Sequence, residues 1–329
     1  MMRLPLLEKI CKRIFLFIIV MFILSAAVFV LARKAPGDPL QSFYGDAVEM
    51  MTQEEKDAAS ARLGLDAGIT VQYVRWLTNA IQGDFGLSFK YKMPVMDVIS
   101  PLIGNTLLLG ITSYIAVFVL AVLLAVFCVL HEDRFIDKLI CKIGTVSYYI
   151  PGFWLGVILV LVFSVNLGWL PSSGAYDVGM QDNIGNRILH LILPLSVMIV
   201  SHFWYYTYMI RNKLLDEARM DYVLLAKSKG CTGREILWKH CLRNVAPTIV
   251  SLMAVSIPHV IGGTVVVESV FHYPGIGNLA IESAKYHDYN LLMIDVLITG
   301  LVVFAGSFIA QAVNERIDPR MKETEHIKW

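Results

Sequence analysis

The sequence predicts an all-α, polytopic membrane protein with six transmembrane helices. Three observations carry this prediction. Of 329 residues, 56% are hydrophobic and only 17% charged, and the mean hydropathy is +0.61; an average soluble chain carries about 25% charge. The apolar residues gather into six runs, near 14–31, 106–130, 144–165, 188–210, 249–267 and 291–313, each close to the ~20 residues that cross a hydrocarbon core. Lys and Arg concentrate in alternate connecting segments, as the positive-inside rule requires.

The first run follows Arg3, Lys9, Lys12 and Arg13. It exceeds the roughly 7–15 apolar residues of a signal-peptide core, so it reads as an uncleaved span with a cytoplasmic N-terminus. In that orientation the cytoplasmic segments hold Arg134, Lys138 and Lys142, then Arg211 through Arg243, then Arg316 through Lys328, while the two short external loops hold Arg187 and Lys285. Arg33 and Lys34 run against the bias, but they open a long segment, and long segments cross largely regardless of charge. The expected organisation is a first span within residues 1–32, an extracytoplasmic helical cap at 33–100, a five-helix core at 101–315 and a cytoplasmic tail at 316–329.

Within the cap, Ala35-Pro36-Gly37-Asp38-Pro39 reads as a turn. Thr52 and Glu55 have capping-box spacing and predict a helix to Leu63. Thr70 is expected to cap a second helix through Ile81, with Val71, Val74, Leu77 and Ile81 at helical spacing, and Gly83-Asp84-Phe85-Gly86 ends it. The carboxylates are scattered, with no pair that suggests acid–base chemistry.

In the core, Pro151-Gly152-Phe153-Trp154 opens the third span, Pro194 interrupts the fourth, and Pro258 with Gly262 and Gly263 interrupts the fifth. Proline removes a ladder hydrogen bond, and the freed carbonyl needs a neighbour. Such kinks commonly serve packing alone. The fifth span is still the first candidate to line a path, through Ser256, Pro258, His259, Gly262, Gly263 and Glu268. Glu268 itself reads first as an interfacial carboxylate facing water, since a charge at the bilayer centre costs ~2.5–3.5 kcal/mol. Asp295 either faces the bundle or snorkels outward. Residues 268–277 read as an aromatic belt and a Pro-Gly turn, followed by a helix from Asn278.

A polar, basic island at 216–244 stands between the fourth and fifth spans. Asp221 is expected to cap a helix over 222–229. Gly230 then supplies the positive φ of a helix C-terminus. Thr232 and Glu235 form a second capping box, opening a helix over 233–242 with Ile236, Leu237, His240 and Cys241 on one side. A basic cytoplasmic loop can be a mere tether. Its two capped amphipathic segments, hinged on glycine, point instead to a surface for a soluble partner.

The residues Asp221-Tyr222-Val223, Ala226-Lys227-Ser228-Lys229-Gly230 and His240-Cys241-Leu242-Arg243-Asn244 resemble the coupling loop of the membrane-spanning subunits of ABC importers, in the dipeptide/oligopeptide/nickel branch. The general importer pattern has Glu-Ala-Ala before the glycine, where this chain has Leu224-Leu225-Ala226, and an Ile-x-Leu-Pro further on, where it has Leu242-Arg243-Asn244; both departures are usual in the peptide branch. The resemblance extends through Pro36-Gly37-Asp38-Pro39, the Gly83 to Ser88 stretch, Glu268 to Gly277 and Asp318-Pro319-Arg320. It implies a type I ABC importer permease fold in a bacterial or archaeal plasma membrane, with both termini cytoplasmic. It implies a second homologous permease, two ATPase subunits that bind ATP and Mg, and an extracytoplasmic solute-binding protein. It assigns Asp221, Tyr222, Ala226, Lys227, Lys229, Gly230, Arg234, Glu235 and His240 to ATPase coupling. Small peptides are the implied cargo, with nickel or a metal chelate as the alternative.

Other features limit the choices. No Gly-x-x-x-x-Gly-Lys-Ser/Thr occurs, so any driving ATP is expected on another chain, and this chain is expected to be no enzyme and to hold no cofactor. A net charge of +1 offers no basic field for nucleic acid. The five cysteines lack metal or redox spacing and read as reduced. His190, His202, His259 and His272 form no i, i+4 pair, so no metal site is expected and each reads as a hydrogen-bonding bundle residue. An ion-driven secondary transporter would show internal repeats and paired intramembrane charges, and an intramembrane enzyme would show a nucleophile–base pair; neither pattern is present. A scaffold would tolerate loss of the hairpin's geometry.

Overall fold

The computed structural model describes residues 4–35 and 37–317, so Arg3, Pro36 and the Asp318-Pro319-Arg320 ending lie outside the described residues. Among the described residues the architecture is all-helical, with one isolated bridge between Leu87 and Pro94. Five helices are long and apolar enough to cross a membrane, and a bent pair makes a sixth.

The first is α1 (Leu4–Lys34), whose apolar side chains from Ile14 to Leu31 lie largely exposed, as lipid-facing residues do. Asp38 then accepts a hydrogen bond from the Leu40 amide and Pro39 takes the first helical position, so the expected turn is the start of α2 (Pro39–Tyr44). After α3 (Ala47–Met50), the Thr52–Glu55 capping box opens α4 (Gln53–Arg62). Gly68, not Thr70, precedes α5 (Ile69–Ile81), and no side chain caps it.

α6 (Val95–Leu130) starts inside the segment expected to be cap and carries Pro101 within it. The third span differs most from expectation. α7 (Phe135–Tyr148) and the helix of Gly152–Asn166 meet at 101°. The residue before a proline is disfavoured in helix, and Pro151 restarts the chain as the N-cap of α8 (Gly152–Leu159), which continues as a π-helical segment, Val160–Asn166. α9 (Ile184–Ala218) carries Pro194 within it. α10 (Asp221–Ser228) and α11 (Gly233–Glu235) form the island, α12 (Leu242–Val270) holds Pro247 and Pro258, α13 (Ile276–Lys285) begins two residues before Asn278, and α14 (Tyr289–Ile317) closes the described chain.

The chain forms two compact units, Met1–Asn105 with Pro274–Phe304, and Thr106–Tyr273 with Ala305–Trp329. In the first, Val95, Ile99, Ile276, Leu279, Leu291 and Ile294 make the core, with Trp76 and Phe85 against it. The Gly83-to-Ser88 stretch has a structural reason here. Gly83 and Gly86 take φ +85° and +82°, and the Asp84 carboxylate accepts the Gly86 amide. The Ser88 hydroxyl donates to Asp288, which also accepts the Lys90 and Leu291 amides. Asp288 is fully buried, and these three donors replace its lost hydration. Asp295 is 1% exposed, so it faces the interior of this unit and does not snorkel.

Beside that site Lys90 donates to Glu282, which also accepts from the Tyr91 hydroxyl. The Lys90 hydrogen bond outweighs partial burial and holds the Glu282 carboxyl below its ordinary range. Partial burial alone would lower Lys90, but the Glu282 bond and charge raise it. The carboxylate's contribution is therefore present above its unfolded pKa, about 4.3, and lost as pH falls through its lowered folded value. Both side chains are about a third exposed, so the pair contributes about 1 kcal/mol or less. Glu282→Gln is expected to melt a few degrees below wild type at pH 7 in detergent, with the difference shrinking as pH falls below the ordinary carboxylate range of about 4. A gap that does not shrink on acidification would show that the charge does not matter.

In the second unit one cluster joins Val117, Ala121 and Ala125 of α6 to Tyr206, Ile210 and Leu214 of α9 and to Val223, Ala226, Ile236, Leu237 and Cys241 of the island. A second cluster packs Leu109, Leu193, Val197 and Met198 on Val260, Val267, Phe271 and Tyr273.

Candidate functional site: the hairpin between the fourth and fifth spans

The island is built from its backbone outward. α10 starts with Asp221 as its first helical residue and Met220 as N-cap without a side-chain bond, so Asp221 is not the cap the sequence suggests. Its carboxylate still lies in the first turn, where the helix dipole favours it. At the other end the Gly230 amide donates to the Lys227 carbonyl and the Cys231 amide to the Ala226 carbonyl. This is a Schellman closure, and it requires the left-handed residue that Gly230 supplies at φ +84°. One residue later Thr232 and Glu235 exchange both bonds of the expected capping box.

The second helix does not end at Leu242. α11 passes into a π-helical segment, Ile236–Cys241, and on into α12, giving one continuous helix from Gly233 to Val270. The wider π turn brings Cys241 between Ile236 and Leu237 on the buried side and swings His240 to the exposed edge, where α-helical spacing had placed it inward.

The base of the hairpin is clamped on several sides. Arg211 pairs with Asp137 through Nε to Oδ1 at 2.8 Å and Nη2 to Oδ2, with Asp137 1% exposed. Arg219 pairs with Glu132 at 2.7 Å, and Asn244 donates to Glu217 at 2.9 Å. The Tyr222 hydroxyl donates to Cys241 Sγ at 3.5 Å, and burial pushes that phenol above its ordinary value. α9, α10 and the start of α12 are thus held as one piece.

Of the residues expected to couple, Asp221, Lys227, Lys229, Gly230, Arg234, Glu235 and His240 are exposed. Tyr222 is half-buried and Ala226 buried, so both anchor the hairpin instead of presenting a surface. Leu224 and Leu225 were missed: they are 63% and 56% exposed, two apolar side chains beside the basic apex. Two adjacent leucines next to Ala226 in an eight-residue helix cannot all face inward, and that was the available signal.

The expected path residues of α12 divide between two faces. Pro258, His259 and Gly262 are exposed together with Val255 and Val266. Ser256 is buried and bonds its own Met253 carbonyl. Gly263 packs against the His202 ring, which a β-carbon would meet at 2.9 Å. Glu268 does not face water as expected: it is 0% exposed and accepts the Thr106 hydroxyl at 2.7 Å. At 3.6 residues per turn Ser256 and Gly263 lie roughly 90° round the helix from the exposed residues, and Glu268 roughly 140°. His190 bonds the Ser173 and Gly174 carbonyls and Asp177, so it pins the 167–183 loop. His202 bonds the Met198 carbonyl of its own helix. Among the described residues no three His, Cys, Asp or Glu side chains gather to hold a metal.

Comparison with known proteins fits this arrangement. Residues 102–323 match the family described as binding-protein-dependent transport system inner membrane component, and residues 6–110 match its N-terminal region. The chain is 36% identical over 295 residues to the oligopeptide transport system permease protein AppB of Bacillus subtilis (strain 168), covering 89% of this chain and 92% of that one. It is 30% identical to the glutathione transport system permease protein GsiC of Escherichia coli (strain K12), covering 96% and 99%. A solved structure of the MetNI methionine ABC transporter in inward-facing conformations superposes with a TM-score of 0.56 at 15% identity, covering 68% of this chain and 97% of that one. At that identity the last match speaks to the fold.

Proposed function

This chain belongs to the family of binding-protein-dependent transport system inner membrane components, and from that membership we propose that it forms, with a second homologous permease, the pore through which small peptides enter the cell. It is a non-catalytic, multi-pass inner-membrane permease of an ABC importer, and ATP is bound by its ATPase partners. The peptide assignment draws on relatives named for oligopeptides and for glutathione, itself a peptide.

The hairpin's construction is the observation that carries the coupling role. Two helical arms leave one elbow, and both arms are continuous or clamped with the bundle: α10 through the Tyr222–Cys241 bond, α11 as the start of the helix that runs on into α12, and the Asn244–Glu217 bond ties α12 to α9 beneath them. A rigid lever of this kind transmits a push at Lys229-Gly230 to α9 and α12. Exposed Leu224 and Leu225 supply apolar contact to an ATPase groove, and Lys227, Lys229 and Arg234 supply charge. In this reading ATPase closure biases the hairpin between two positions, and the pore follows. Both termini and the hairpin lie on the cytoplasmic side, in keeping with the distribution of Lys and Arg.

Uptake of labelled di- and oligopeptides and of labelled nickel, measured in a strain lacking only this gene and in the complemented strain, tests the cargo. Loss of peptide uptake that the intact gene restores is expected. Loss of nickel uptake alone overturns the peptide assignment and turns attention to exposed His259.

A further inference from the structure

The segment between the first two spans contains one helix whose surroundings contradict an aqueous cap. On α5, Tyr73, Trp76, Leu77 and Ala80 form the packed side. The Tyr73 hydroxyl lies 2.8 Å from Ser25 Oγ, and its ring sits 6.0 Å from Phe22 and 5.3 Å from Phe29, while Trp76 lies 6.4 Å from Phe29. Phe22, Ser25 and Phe29 belong to the transmembrane stretch of α1, Cys11–Lys34. Lys12-Arg13 and Arg33-Lys34 bracket that stretch, about 31 Å apart at 1.5 Å per residue, which is one hydrocarbon thickness. Ser25 is nine residues before Lys34, about 13 Å inside that boundary. A helix that touches Phe22, Ser25 and Phe29 therefore lies within the bilayer's depth.

The opposite side of α5 fits the same place. Val71, Val74 and Ile81 are 48%, 53% and 78% exposed, side by side on one face. Thr78, between them, donates its hydroxyl to the Val74 and Arg75 carbonyls and so needs no water. Exposed Arg75 and Asn79 lie together on a separate edge, and Arg75 is 3.9 Å from Asp66. The apolar sector thus covers both the packed and the exposed sides, and the polar sector is narrow, the pattern of a helix lying in a membrane interface.

We propose that α5 is embedded in the bilayer leaflet at the Arg33-Lys34 end of α1, with Val71, Val74 and Ile81 on lipid acyl chains and Arg75 and Asn79 at headgroup level. The exposed apolar surface of α1 beside it, including Phe22, continues the same lipid-facing surface. The inference needs only that α1 spans the membrane and does not depend on the cargo or on coupling.

The test uses the assembled transporter in liposomes, with nitroxides placed singly at Val74→Cys, Ile81→Cys and Asn79→Cys in a background without the native cysteines. Collision of each label with oxygen, which concentrates in acyl chains, and with water-soluble chromium oxalate is measured by electron paramagnetic resonance. The expected result is an oxygen-to-chromium collision ratio severalfold higher at 74 and 81 than at 79. Strong chromium collision at 74 and 81 would place the helix in water and overturn the proposal. Low collision with both reagents at 74 and 81 would mean a protein partner covers the face, and would overturn it equally.

Discussion

Gly230→Val is expected to abolish transport while the chain is still made and inserted. The glycine sits at φ +84°, and a β-carbon built there meets nothing within 4 Å. The cost is therefore conformational and not a clash. A left-handed residue costs roughly 1–2 kcal/mol for an ordinary side chain and more for a β-branched one. That strain opposes the two hydrogen bonds of the Schellman closure, Gly230 to Lys227 and Cys231 to Ala226, which set the angle between α10 and α11. The spans do not depend on this turn, so insertion should survive while the apex loses its shape. Gly230→Asn, which tolerates left-handed backbone, should keep most activity, and Gly230→Ala should fall between. Peptide uptake and the basal ATPase rate of the purified complex read this out together. Normal uptake by the valine variant would sink the lever reading.

The second large effect is expected at Arg211. Its guanidinium makes a two-point contact with Asp137, joining α7 to α9 ten residues before the hairpin begins. The side chains are 14% and 2% exposed. Removing one partner of a buried pair leaves the other charge without compensation, which typically costs about 3–5 kcal/mol. Arg211→Ala should accordingly lower the melting temperature of the purified complex by several degrees. The paired change Asp137→Leu with Arg211→Met should recover most of that loss, because an apolar pair of similar volume needs no compensation. If the double variant is as unstable as the single one, the ion pair itself is not what holds the elbow. If the double variant is stable but transports poorly, the pair aligns the hairpin as well as stabilising it.

Much of the hairpin is legible in the residues because its signals are local. Gly230 after Lys227 and Lys229, and Thr232 three before Glu235, are spacings that one turn of backbone satisfies without help from distant residues. The same holds for Thr52 and Glu55. The polar-to-apolar change at α12 was also visible, but the direction of His240 was not. It depends on a π-helical segment that inserts one more residue per turn, and α-helical periodicity then misassigns the face.

The amino-acid sequence by itself determined where this protein crosses the bilayer and where the elbow of its hairpin lies. Runs of apolar residues must be helical in lipid, since the backbone finds no other partner there, and capping patterns act within a single turn. Only the tertiary structure decided which side chains meet. Ser88 and Asp288 are 200 positions apart, Asp137 and Arg211 are 74 apart, and Thr106 and Glu268 are 162 apart. No local spacing announces such pairs. They follow from how the helices pack, as do the inward turn of Ser256 and Glu268, the outward turn of Leu224 and Leu225, and the contact of Tyr73 on α5 with Ser25 and Phe29 of α1. Each buried polar group finds its partner only after the helices have met, because burial is what creates its need for one.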